Sequence, residues 1–62
     1  MKNRVTFEKI STELYDVRID GKKSTLSVYF EAGWFLCYDR QFGELSARTL
    51  EGIRNQIEMH ID

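Results

Sequence analysis

Residues 50–61, which read LEGIRNQIEMHI, decide the fold of this chain. Leu50, Ile53, Ile57 and Ile61 are spaced at i, i+3, i+7 and i+11, so an α-helix places them along one side. Thr49 precedes them and is a suitable N-cap, because its hydroxyl can accept a hydrogen bond from a free amide of the first turn. The stretch therefore predicts an amphipathic helix that must pack one apolar side against another element.

A β-hairpin is predicted before this helix. Tyr15, Val17 and Ile19 alternate with polar residues, as do Leu26, Val28 and Phe30, and this period of two is typical of strands. Between these segments lies Asp20-Gly21, a strong signal for a hairpin turn. Lys22 and Lys23 follow and are expected to extend the turn into a polar loop. We therefore predict a hairpin formed by residues 15–20 and 25–31.

The remaining strand-like segments are shorter. Val5 and Phe7 alternate with polar neighbours near the start of the chain, and residues 34–38 form an apolar strand after a turn at Gly33. Residues 45–47 are either a short strand end or the approach to the helix. Together these features predict one domain over residues 1–62. Its class is α+β, with an antiparallel sheet of three to four strands followed by one C-terminal amphipathic helix packed on one face.

Composition restricts the environment in which the protein acts. The chain has 62 residues and a single cysteine, Cys37, so it cannot form an intramolecular disulfide. The longest apolar run, residues 32–37, is far shorter than the roughly 18 residues that a membrane span needs. No hydrophobic signal-peptide region is visible near Met1. We expect a cytoplasmic protein without a membrane segment.

Catalytic and metal-binding patterns are not found in the sequence. Cys37 lies in an apolar strand, where burial keeps a thiol protonated, and His60 lies in the last helical turn, where a cation complements the helix dipole. Asp39 and Glu44 flank a turn and are expected to be ordinary solvated carboxylates. No glycine-rich phosphate loop and no metal-ligand spacing occurs. The sequence therefore predicts a protein that is not an enzyme and that has no catalytic residues, metal or cofactor.

Aromatic residues are concentrated between residues 29 and 42. One helix covers one face of a sheet, and strand residues alternate between faces, so some of these side chains should lie on the uncovered face. Exposed aromatic patches mark protein interfaces. We expect the contact area to come from Tyr29, Trp34, Phe35 and Tyr38, with a second copy of the chain or a foreign protein as the partner. A curled sheet that buries both sets of side chains is the structural alternative.

A small nucleic-acid-binding regulator is the functional alternative. A basic β-hairpin could contact DNA or RNA through Arg4, Arg18, Lys22 and Lys23. The formal net charge is −1, whereas proteins that depend on phosphate contacts normally carry a basic excess. Nucleic acid is therefore a less favoured partner than protein.

The C-terminal half of the chain also carries a resemblance. Gly33-Trp34, Gly43-Glu44-Leu45 and Thr49-Leu50-Glu51-Gly52-Ile53 place an aromatic after a glycine, then a turn, then a helix that begins with Thr-Leu-Glu. In this the chain resembles small bacteriophage and prophage accessory proteins of the ββ(β)α type. The resemblance implies a small cytoplasmic protein that binds a host macromolecule and inhibits or redirects it.

Overall fold

The computed structural model describes residues 4–61, which form one antiparallel sheet and one helix. The strands are β1 (Val5–Ser11), β2 (Leu14–Ile19), β3 (Lys22–Glu31), β4 (Trp34–Asp39) and β5 (Gly43–Ala47), and they are followed by α1 (Leu50–Ile61). Each strand pairs with the next in the chain, so the sheet order is β1-β2-β3-β4-β5. The predicted α+β class with a C-terminal helix is confirmed.

The predicted number of three to four strands is wrong, because the sheet has five. Residues 45–47 belong to a full strand rather than to the approach to the helix. Gly43 adopts a φ of 77°, which closes the turn after β4 and allows β5 to pair directly with that strand.

Two hairpins turn through pairs of residues with positive φ. Asp20 and Gly21 have φ values of 55° and 79°, and Ala32 and Gly33 have values of 52° and 83°. Two central residues with positive φ are the mark of a type I′ turn, which matches the twist of the flanking strands. The β2–β3 turn is therefore only two residues long, and Lys22 belongs to β3 rather than to the predicted polar loop, as does Lys23.

Ala32 is strained in its turn, because the left-handed region costs a residue with a Cβ roughly 1–2 kcal/mol. Asparagine tolerates this region, so Ala32→Asn should stabilise the fold by about 1 kcal/mol and raise the Tm by about 4–8 °C. Thermal unfolding followed by circular dichroism measures the change. Gly33→Ala, in the same turn, should lower the Tm. An Ala32→Asn protein that melts at or below the wild-type temperature would contradict this turn geometry.

The helix begins and ends as the sequence predicts. Thr49 Oγ1 accepts a hydrogen bond of 3.0 Å from the Gly52 amide, which confirms the N-cap. Ile53 and Ile57 are fully buried, and Leu50 and Ile61 pack against the core at the two ends of the apolar stripe. A Cβ at position 52 would lie 3.0 Å from Ala47 Cβ, so glycine permits the close approach of α1 to β5.

The sheet curls around α1. The helix makes backbone contacts with β1, β4 and β5, which include both edge strands. In a flat sheet the edge strands of five would lie about 19 Å apart, whereas a helix is only about 10–12 Å wide. Gln56 and Glu58 show the same geometry at atomic detail. Gln56 Nε2 donates to the Ser46 carbonyl of β5 at 2.7 Å, and Glu58 Oε2 accepts from the Val5 amide of β1 at 3.1 Å.

These two helical side chains point in nearly opposite directions, because two residues turn an α-helix by about 200°. They nevertheless bond to the two ends of one sheet, so α1 lies between the edges and closes the concave side. The face toward α1 is called the inner face, and the convex face turned away from α1 is called the outer face. The buried core fills the inner side and consists of Val5, Val17, Leu26, Val28, Cys37, Leu45, Ile53 and Ile57. No helix within residues 4–61 is long and apolar enough to cross a membrane.

Candidate interaction surface

Strand β4 divides its side chains between the two faces. Cys37 is completely buried in the core, and Phe35 packs against the core from the same side. The intervening residues Trp34, Leu36 and Tyr38 therefore project from the outer face. Tyr38 is 67% exposed and Trp34 is 41% exposed. The only helix among residues 4–61 lies on the inner side, so no helix covers the outer face of this strand.

The neighbouring strands extend this apolar surface. Tyr29 of β3 pairs with Leu36 on one side and with Leu14 on the other, so the three side chains form a row across the outer face. Tyr29 is 54% exposed. The rings of Tyr29, Trp34 and Tyr38 leave on the order of 400 Å² accessible, within the range of the largest patch on a typical monomer, which is often functional. We call these five residues the aromatic patch: Leu14, Tyr29, Trp34, Leu36 and Tyr38.

Phe35 does not belong to the aromatic patch, so its predicted place beside Tyr29, Trp34 and Tyr38 is wrong. Its ring packs against Phe30 at a centroid distance of 4.6 Å and against Tyr15 at 6.0 Å, both on the inner side. Phe7 contacts Tyr15 in turn. The sheet is curled, as the structural alternative expected. It does not bury both sets of aromatic side chains, because only the inner set is covered.

Trp34 holds a cation on its ring. The guanidinium carbon of Arg48 lies 4.8 Å from the ring centroid, a distance at which a cation is attracted by the negative face of an indole. Arg48 follows β5 directly and crosses the β3–β4 turn, where its guanidinium would lie 3.8 Å from a Cβ at Gly33. The ring is therefore partly covered by a basic side chain of the same protein.

Carboxylates border the aromatic patch. Glu31 pairs directly with Trp34, and Glu44 pairs directly with Tyr38, so each carboxylate shares the outer face with the ring opposite it. Asp16 lies on the same face next to Leu14 along β2. Within residues 4–61 these three carboxylates form no ion pair. Of the three, Glu31 could have been found by counting alternate residues from Tyr29 along the same strand, whereas Asp16 and Glu44 lie on other strands and reach this border through strand pairing.

Two of the four basic residues proposed for nucleic-acid contacts are engaged within the protein. Arg4 forms an ion pair of 3.0 Å with Asp20, and Arg18 forms one of 2.9 Å with Glu8 on the neighbouring strand. The hydrogen bond from Arg4 holds the pKa of the Asp20 carboxyl below its usual value. Lys22 and Lys23 are exposed at the tip of the β2–β3 hairpin. The four residues thus share one end of the sheet, but the two arginines face acidic partners.

The conventional reactive side chains are Cys37, His60, Asp39 and Glu44. Burial, reinforced by the nearby Asp39 carboxylate, raises the pKa of the Cys37 thiol to about 11, which keeps it protonated. His60 is exposed and its ring stacks on Phe42 at 4.9 Å. Asp39 accepts a hydrogen bond from the Gln41 amide within the β4–β5 turn, whereas Glu44 projects from the outer face.

Residues 4–61 enclose no detectable pocket and contain no group of three side chains suited to hold a metal ion. The aromatic patch with its carboxylate border is accordingly the surface feature that calls for a functional explanation. Comparison of the chain with protein-family models, with curated proteins and with solved structures finds no match.

Proposed function

We propose that this protein is a non-enzymatic interaction protein whose outer sheet face binds another protein. The observation that carries the proposal is the exposure of Tyr29, Trp34 and Tyr38 on one continuous surface around Leu36. Tyrosine and tryptophan are enriched at protein interfaces, because each combines a large apolar area with a polar group. Exposed rings lower the solubility of a protein. Rings that do not pack the core are therefore expected to serve binding.

The inner side of the sheet supports the same proposal. The eight buried core residues, together with Phe7, Tyr15 and Phe35 packed against them, account for the packing of the fold. The aromatic patch adds nothing to this core and is available to a partner. If the resemblance to phage accessory proteins holds, the partner is a host protein that is inhibited or redirected when its surface is covered. A second copy of this chain is the other protein partner that the sequence suggests.

Binding of nucleic acid receives less support. Arg4 and Arg18 already have carboxylate partners, and the aromatic patch is bordered by Asp16, Glu31 and Glu44, which would repel phosphates. Such a surface suits a protein better than a polyanion.

Site-specific photo-crosslinking tests the proposal. A benzophenone amino acid is placed at Tyr38, and the protein is expressed in the cells in which its gene is naturally active. After irradiation we expect a covalent protein adduct, because an interface residue lies within reach of its partner. The adduct should disappear when Tyr29→Ser is added, since this change removes a neighbouring ring from the same surface.

Met59 supplies the matched control, since it is 79% exposed on the helix, away from the outer face. A benzophenone at that position should give no adduct. Adducts from Met59 alone, equal adducts from both positions, or none from Tyr38 would contradict the proposal. An adduct that nuclease removes would favour the nucleic-acid alternative, and an adduct with twice the mass of the chain would identify a second copy.

A further inference from the structure

We propose that the outer face recognises an arginine side chain of its partner, which lies on the ring of Tyr38 and pairs with Glu44. The inference rests on the proposed function and adds the chemistry of the partner. It starts from Arg48, which shows how a guanidinium is held on this surface, with its carbon 4.8 Å from the Trp34 ring centroid. An indole ring on the outer face thus already binds a guanidinium within the molecule.

Tyr38 repeats the surroundings of Trp34 without its cation. Each ring projects from β4, and each has a glutamate directly opposite on a neighbouring strand, Glu31 for Trp34 and Glu44 for Tyr38. Within residues 4–61 no cation lies on the Tyr38 ring, which is the most exposed aromatic side chain of the patch. A ring face and a carboxylate side by side offer a guanidinium both a cation–π contact and an ion pair.

Three carboxylates of the outer face have no ion pair within residues 4–61. Arg18 is paired with Glu8 and Arg48 is bound to Trp34, whereas Asp16, Glu31 and Glu44 have no ion pair within the described residues. Lys23 lies opposite Arg18 at the far end of the hairpin. The remaining base near Tyr38 is Arg40, which is exposed in the β4–β5 turn. The acids and bases of this face are equal in number, so the preference for a cation comes from Glu44 beside the Tyr38 ring and not from the net charge of the face.

The curvature of the sheet argues against a second copy as the occupant. The sheet bends around α1, so its outer face is convex, and two convex faces touch over a small area. A stable interface buries about 800 Å² on each partner, about twice the area that the three rings expose. A segment of another protein that follows the surface can contact it more fully.

The spacing of the patch defines the partner segment. Tyr38 and Leu36 are two residues apart on β4, roughly 7 Å, and an extended peptide places its alternate side chains at the same distance. An arginine on Tyr38 therefore brings the side chain two residues away over Leu36 and next to Tyr29. The partner should present an extended segment in which an arginine and an apolar residue are separated by one residue.

A peptide of this pattern, Gly-Arg-Ser-Leu-Gly with blocked ends, tests the inference on the full chain. Its affinity is measured by titrating ¹⁵N-labelled protein, with the emission of Trp34, the single tryptophan, as a second signal. The comparison peptide carries citrulline, which has the shape of arginine but no charge. We expect the arginine peptide to bind about fivefold more tightly at low ionic strength, with the largest amide shifts at Tyr38 and Glu44.

Two substitutions make the result specific to the site. Glu44→Gln should remove most of the preference for the arginine peptide over the citrulline peptide and leave only the part due to the Tyr38 ring. Glu51→Gln removes an equivalent exposed charge from the helix and should leave the preference unchanged. Equal binding of the two peptides, no binding at millimolar concentration, or an arginine preference that Glu44→Gln leaves undiminished would overturn the inference. Equal binding on the outer face would leave the proposed function standing, and that function fails separately if crosslinking from Tyr38 gives no adduct.

Discussion

Replacing Ile53 with alanine should leave most of the protein unfolded at room temperature. Ile53 is fully buried on the helix and belongs to the core cluster that joins α1 to the sheet. Truncating a buried isoleucine to alanine costs about 2–5 kcal/mol, because apolar contacts are lost and a cavity remains. The core of a domain this small supplies only about 3–5 kcal/mol in total. The substitution therefore removes most or all of the net stability.

Circular dichroism and urea unfolding measure this effect. The Ile53→Ala protein should show weak helical signal and no cooperative transition, or one displaced to very low urea. Met59→Ala on the same helix is the matched control, since Met59 is largely exposed and its removal should change the free energy of unfolding by no more than about 0.5 kcal/mol. A cooperative Ile53→Ala protein with nearly wild-type stability would show that α1 does not hold the sheet as described.

The helix and the β2–β3 hairpin could be predicted because their signals are local. The spacing of Leu50, Ile53 and Ile57 fixes which side of the helix is apolar, and Thr49 marks its start. Asp20-Gly21 fixes the hairpin turn, because few dipeptides reach positive φ at both positions. These features need no knowledge of distant contacts.

The fifth strand and the curl could not be predicted, because both depend on residues far apart in the chain. Residues 43–47 form a strand only because β4 supplies its partner, and the short run gives little signal alone. The curl depends on Gln56 and Glu58 reaching opposite edges of the sheet, a relation that no local pattern reveals.

The sequence predicted that aromatic side chains are exposed on one face of the sheet, but it did not predict all of the residues that form this surface. Alternation indicated that one set of β4 side chains must face away from the helix, and it left open whether the exposed set contained Trp34 and Tyr38 or Phe35. Pairing of Cys37 with Val28 and Leu45 settles this, because both partners are core residues. Arg48 on Trp34 was not foreseen, since their contact spans the β4–β5 hairpin.

Two consecutive residues of β4 should differ sharply in chemical accessibility. Cys37 is fully buried with a pKa raised to about 11, whereas Tyr38 is 67% exposed on the outer face. A disulfide reagent should reach Cys37 only when the protein unfolds, so its labelling should be at least about a hundredfold slower than that of an unfolded control. A cysteine introduced by Tyr38→Cys, in a chain that also carries Cys37→Ala, should react nearly as fast as a free peptide thiol.

The ratio of these two labelling rates at mildly alkaline pH is the most direct test of the central claim, that α1 covers the inner face and leaves the aromatic patch open to a partner. Circular dichroism confirms that both proteins are folded. The structure predicts a protected thiol at position 37 and a reactive one at position 38. Rapid labelling of native Cys37 together with protection at position 38 would show that the two faces of β4 are assigned the wrong way round, and would contradict the account.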